Sequence, residues 1–172
     1  MKKIIFIIAL SILPFTNYAQ VSFFDKFEDM DDVTSVIVNK EAFKMLSKFK
    51  GNSPEAKSYV EMVQDLESLK VFTTESSAIA NQMEDVVSKY LKTSKLVELM
   101  RIKDKGANVK IYIRPGKDDS HVSELLMFVN DLTNKSNKQA VVLSLTGEID
   151  LNKVSEITDA HIPNSSKHLK NK

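Results

Sequence analysis

The sequence predicts an α+β fold: a single domain with a mainly antiparallel sheet of about five to six strands and three to four helices packed on one face. Three observations lead there. Apolar residues recur at helical spacing mainly in the first half of the chain, while β-branched alternation dominates from Leu96 onward. The four glycines, together with Pro54, Pro115 and Pro163, fall between the periodic segments and punctuate them. A doubly wound arrangement would need regular strand–helix alternation, which residues 95–146 do not provide.

Residues 1–19 read as a secretory signal peptide. Lys2 and Lys3 precede the apolar run Ile4 to Leu10 with Ile12 and Leu13, and the polar stretch Thr16-Asn17-Tyr18-Ala19-Gln20 follows. Pro14 breaks the run well short of the ~20 residues that span a bilayer, and no later segment is long enough, so no transmembrane segment is expected in the mature chain. Cleavage after Ala19 leaves 153 residues and removes two lysines, which takes the formal charge from +1 to −1.

Residues 20–162 read as the domain. Val33 to Val38 is rich in β-branched residues and predicts a first strand. Ala42, Met45, Leu46 and Phe49 then repeat at helical spacing until Gly51. Ser53 and Pro54 suit an N-cap and first turn, with Ala56, Tyr59, Val60, Val63 and Leu66 as the apolar stripe behind them. After the short run Leu69 to Thr73, the residues Ile79, Met83, Val86, Val87 and Tyr90 form the clearest helical stripe in the chain. Val109, Ile111 and Ile113 alternate with Lys110, Tyr112 and Arg114, as in a half-buried strand. Lys105-Gly106 joins that strand in a hairpin to Leu96–Ile102. Pro115-Gly116 turns the chain again, and Val122–Val129 and Ala140–Leu145 complete four strands in meander, although Val122–Val129 also reads as a helix. Asp150 suits the N-cap of a last helix starting at Leu151, with Ile149 and Val154 at the staple positions and Leu151, Val154 and Ile157 facing the core. Residues 163–172 have almost nothing to bury and read as a mobile tail.

Four stretches together carry a family resemblance: Phe24-Asp25-Lys26-Phe27, Val33 to Lys40 with Phe43, Leu69-Lys70-Val71-Phe72-Thr73, and Leu145-Thr146-Gly147-Glu148-Ile149-Asp150-Leu151. With the signal peptide, they resemble the domain of unknown function 4252 family, exported proteins of Bacteroidota, over about residues 24–160. The resemblance implies an envelope location and one compact domain, and it brings no activity or functional residue with it. Relatives with lipid anchors belong to that picture, but a chain with no cysteine has no residue to carry the lipid, so no lipid anchor is expected.

The absence of cysteine also excludes disulfides, thiolate nucleophiles and cysteine metal sites. Asp25, Glu28, Asp29, Asp31 and Asp32 supply oxygen ligands of the kind Ca²⁺ takes, yet counting from Asp29 the sixth residue is Thr34 and the twelfth Lys40, where a calcium loop needs glycine and glutamate. They read as a solvated acidic lead-in offset by Lys26. His121, His161 and His168 stand too far apart for a helical ligand pair. His121 near Asp118, Asp119 and Glu124 reads as a surface histidine in a polar turn. There is no G-x-S-x-G elbow, and isolated glycines cannot cradle phosphate. Glu148 and Asp150 are a carboxylate pair in which capping accounts for Asp150. Phe23, Phe24 and Phe27 read as a leading segment packed on the domain's own core. Lys167, Lys170 and Lys172 are too widely spaced for strong attraction to anionic polymer.

No catalytic, cofactor-binding or metal-binding residue is therefore nominated, no cofactor is expected, and the balance of 24 basic against 23 acidic side chains argues against nucleic acid as a partner. The expected function is a non-catalytic exported interaction module of the bacterial cell envelope, in sensing or assembly, with an envelope protein as partner. It would be periplasmic or secreted and soluble after signal cleavage. The alternatives are an acid–base hydrolase of an envelope polymer, using carboxylates such as Glu148 with His121, and a structural envelope oligomer.

Overall fold

The computed structural model of the chain describes residues 22–48, 54–104, 107–131 and 139–152. The signal peptide, the Lys105-Gly106 turn, Val154, Ile157 and the tail lie outside the described residues. In chain order the elements are α1 (Ser22–Asp25), β1 (Thr34–Asn39), α2 (Lys40–Leu46), α3 (Pro54–Val63), β2 (Leu66–Thr74), α4 (Ser77–Thr93), β3 (Val97–Asp104), β4 (Ala107–Pro115), β5 (His121–Asp131) and β6 (Gln139–Asp150). The six strands form one antiparallel sheet in the order β1-β2-β6-β5-β4-β3. Strands β3 to β6 are the predicted meander, and the β1–β2 pair adds to its β6 edge. The chain is thus a single α+β domain, and Val122–Val129 is strand.

Helix α4 decides which side of the sheet is the main core. Ala80, Met83, Val86, Val87 and Tyr90 recur every three or four residues and are buried. They pack with Phe72, Tyr112, Leu126, Phe128 and Val142, even-numbered residues that point to one side of four adjoining strands. Phe24 and Phe27 join them, with the Phe24 ring 5.5 Å from Tyr90 and edge-on to it, so the leading aromatic segment belongs to the core as expected.

Helices α2 and α3 do not share that side. Phe43 of α2 clusters with Leu66, Val122 and Ile149, and this second cluster is packed by Leu69, Leu125 and Leu145 from the odd-numbered face. Asn39 explains the placement. Its side chain accepts the Ala42 N–H at 2.9 Å and caps α2 at the last residue of β1, so the helix turns directly off the sheet's edge. The buried residue of α2 is Phe43, while Met45 and Leu46 of the expected stripe are exposed. Leu66 was expected on a helix, but it opens β2. A register shift between Leu66 and Ser68 brings it into the second cluster.

Gly147 holds this end of the sheet together. Its φ of +132° is open to few side chains, and an added Cβ would stand 2.6 Å from the Asp65 carbonyl oxygen and from the Leu66 Cα. That close approach lets the Glu148 N–H donate to the Asp65 carbonyl at 3.0 Å.

Candidate functional site

Register determines which side chains share the face opposite α4. Val38, Leu69, Leu145, Leu125, Ile113 and Val97 stand side by side across the six strands. The next row is Val36, Val71, Leu143, Met127, Ile111 and Met100, and the third is Thr34, Thr73, Val141, Val129, Val109 and Ile102. Two members are threonine, the rest are apolar, and none carries a charge.

None of these side chains is buried. The first row packs partly against the Phe43 cluster, whereas no member of the second or third row belongs to or packs against either core cluster among the described residues. Val36, Met100 and Ile102 keep 49%, 48% and 48% of their surface exposed. Strands ~4.8 Å apart and rows ~6.8 Å apart give the second and third rows together a plane of roughly 400 Å², within the range of the largest apolar patch on a soluble protein, which is often a functional one.

A second feature is polar. Where β4 turns into β5, beside the end of β6, a cavity of about 450 Å³ is lined by Lys40, Asp65, Lys117, His121 and Glu148 among others. His121 Nδ1 lies 2.6 Å from the Asp118 carboxylate, and its Nε2 is 3.8 Å from Glu148. The His121 contact, followed by the hydrogen bonds from Ser120, holds the Asp118 carboxyl at about 2, below its ordinary value. Lys117 pairs with Glu148, and Lys40 with Glu67 at 3.1 Å. The arrangement can orient an imidazole and move a proton. Ser120 Oγ donates to Asp118 at 2.8 Å and lies 3.3 Å from His121 Nδ1, while Ser123 Oγ donates to the Pro115 carbonyl at 3.4 Å.

A family model described as Domain of unknown function (DUF4252) matches residues 27–157. The chain belongs to that family. No curated protein and no solved structure matches it. The DUF4252 match spans all six strands, so the apolar face and the polar cavity both lie within the family's domain.

Several other charged groups of this DUF4252 domain are tied into structure. In the acidic lead-in, Asp25 and Glu28 grip Lys70 Nζ at 2.5 and 2.7 Å, fastening α1 and the turn after it to β2. Burial pulls the Lys70 pKa down, but the two carboxylates outweigh it and hold it above the ordinary lysine value. Glu124 does not join His121. It is buried under α4, where the Tyr90 hydroxyl donates to it at 2.6 Å and Arg114 donates through Nε and Nη2 at 3.2 and 2.9 Å. Asp150 Oδ1 accepts the Asn152 N–H at 2.9 Å, which is the capping geometry expected of it. No group of three or more His, Asp or Glu placed to hold a metal ion is found among the described residues, and no described helix is long and apolar enough to cross a membrane. His161, His168 and the three terminal lysines lie outside the described residues.

The apolar face was the feature that reading the sequence missed. Leu125-Leu126-Met127-Phe128-Val129 is apolar at every position, so the strand it forms looks buried on both sides. The alternation Val109, Ile111, Ile113 was the available signal: its apolar side turns out to be the open one, and the Tyr112 side faces α4.

Proposed function

We propose that this DUF4252 protein is a non-catalytic, exported interaction module of the cell envelope, and that it binds through the apolar face opposite α4. The signal-like residues 1–19 motivate export. The observation that carries the binding role is the uncharged face with its two uncovered rows, because holding that apolar surface in water costs about 25 cal/mol per Å², a cost that contact with another molecule removes. On this reading the second and third rows are the centre of an interface, and the polar edges of the sheet form its rim.

A photo-crosslinking residue placed at Met127, in the middle of the second row, tests the proposal in intact cells. Adducts with another polypeptide are expected from that position and not from Lys89 on the exposed side of α4. Equal yields from both positions, or none from either, would refute it.

The hydrolase reading has one observation in its favour: His121 meets Glu148 in the cavity and carries Asp118 on its other ring nitrogen. It requires turnover of isolated envelope polymer that is lost in His121→Ala. The binding proposal requires that His121→Ala leave the Met127 adducts unchanged.

A further inference from the structure

The apolar face has properties that narrow down what covers it, and we infer that its occupant is a second copy of this chain, stacked sheet on sheet. This rests on the reading of that face as the binding surface.

Three features select the second copy. An isologous interface sets each patch against itself, so any charge on the patch meets its own kind across or near the axis. The three rows hold no charge at all, which makes the face self-compatible and leaves a charged partner with nothing to pair. Shape points the same way. Two antiparallel sheets stack about 10 Å apart with their strands turned by about 30°, an angle that arises from the twist of each sheet, and a second copy brings an identically twisted surface. Size allows it: the two open rows form a flat apolar centre of roughly 400 Å², which side-chain relief and a polar rim extend toward the ~800 Å² per partner of a stable interface.

The geometry also identifies the centre. The second row runs through the middle of the face, and its β6 and β5 members Leu143 and Met127 are directly paired. A two-fold axis parallel to the sheets, midway between them and passing over that pair, lays the open rows of one copy on those of the other. Met127 is then the anchor closest to its symmetry mate, and the flexible thioether fills gaps that two identical branched surfaces would leave.

Sedimentation velocity over a concentration series, on the full chain expressed with its own leader, tests this. The expected result is a monomer–dimer equilibrium whose dissociation constant rises about 100-fold in Met127→Lys and in Leu143→Lys, with unchanged circular dichroism, and stays put in Lys89→Glu. Should the lysine variants misfold, Met127→Cys provides a milder probe in a chain that has no other thiol. A short bis-maleimide should then link two copies, and a monofunctional maleimide should react only after dilution. A dimer indifferent to Met127→Lys would overturn the inference by placing the contact elsewhere. A monomer whose Met127→Cys thiol reacts freely at every concentration would overturn it too, while leaving the face open to a different partner. A monomer whose thiol is protected at every dilution would show the face covered by its own chain, and would sink the binding proposal as well.

Discussion

The Tyr90 hydroxyl on α4 donates a 2.6 Å hydrogen bond to the Glu124 carboxylate on β5, beneath the helix that covers the sheet. A buried carboxylate costs several kcal/mol unless it is paired, and here the phenol and the Arg114 guanidinium both serve it. The pairing joins helix to sheet at the C-terminal turn of α4, where a purely apolar contact would let the helix slide.

Tyr90→Phe keeps the ring and removes that donor. It should lower the free energy of unfolding by about 1 to 3 kcal/mol, read from urea midpoints. Arg114→Met should cost about 3 to 5 kcal/mol, because it takes a doubly hydrogen-bonded guanidinium away from a buried carboxylate. If both variants unfold like the parent, the triad contributes nothing to stability.

The same groups predict an alkaline limit. Burial, and then the bond to Glu124, push the Tyr90 phenol well above its ordinary value of 10.0, and the Lys70 ammonium also lies above its ordinary 10.5. Groups whose pKa is raised by folding contribute stability that is complete below the unfolded pKa and is lost as pH rises through the folded one. Stability should therefore fall once pH exceeds about 10, and more gently in Lys70→Met. Unfolding midpoints measured from pH 8 to 11.5 check this. A flat profile across that range would contradict it.

Asp150 separates capping from chemistry. Asp150→Ala should cost about 0.5 to 2 kcal/mol, and Asp150→Asn or Asp150→Ser should restore most of it, since each keeps an oxygen for the Asn152 N–H. Equal losses in all three variants would mean that the negative charge matters rather than the cap.

Gly147→Ala should be far more damaging than an ordinary surface change. The backbone there has φ of +132° and a methyl group would meet Asp65 and Leu66 backbone atoms at 2.6 Å. Strain of this kind costs about 1 to 3 kcal/mol before the clash is counted. A thermal midpoint within a degree of the parent would show that the Asp65–Glu148 contact is dispensable.

Local patterning made much of this fold legible. The α4 stripe from Met83 to Tyr90 and the alternation from Val109 to Arg114 each depend on near neighbours alone, and both elements form where the pattern puts them. Features that depend on register were not legible. Leu66 continues the spacing of α3 and yet belongs to β2, because Gly147 admits it to the end of the β2–β6 ladder only through a close backbone approach. Phe43 rather than Met45 is buried because Asn39 fixes how α2 leaves β1. His121 and Glu148 face one another only once β5 and β6 are paired, twenty-seven residues apart in sequence. Which side of a strand apolar on both sides stays open is decided by where α4 lands.

The central claim, that another molecule covers the face opposite α4, can be tested through methionine. Met83 is buried under α4, Met45 is 65% exposed on α2, and Met100 and Met127 lie in the second row of the face. Mild peroxide followed by mass spectrometry reads all four in one chain. In dilute purified protein, Met45, Met100 and Met127 should oxidise readily while Met83 resists. In the protein's native envelope, Met100 and Met127 should become protected while Met45 keeps reacting. Oxidation of Met100 and Met127 that keeps pace with Met45 in the envelope would mean that nothing covers the face, and would contradict the account.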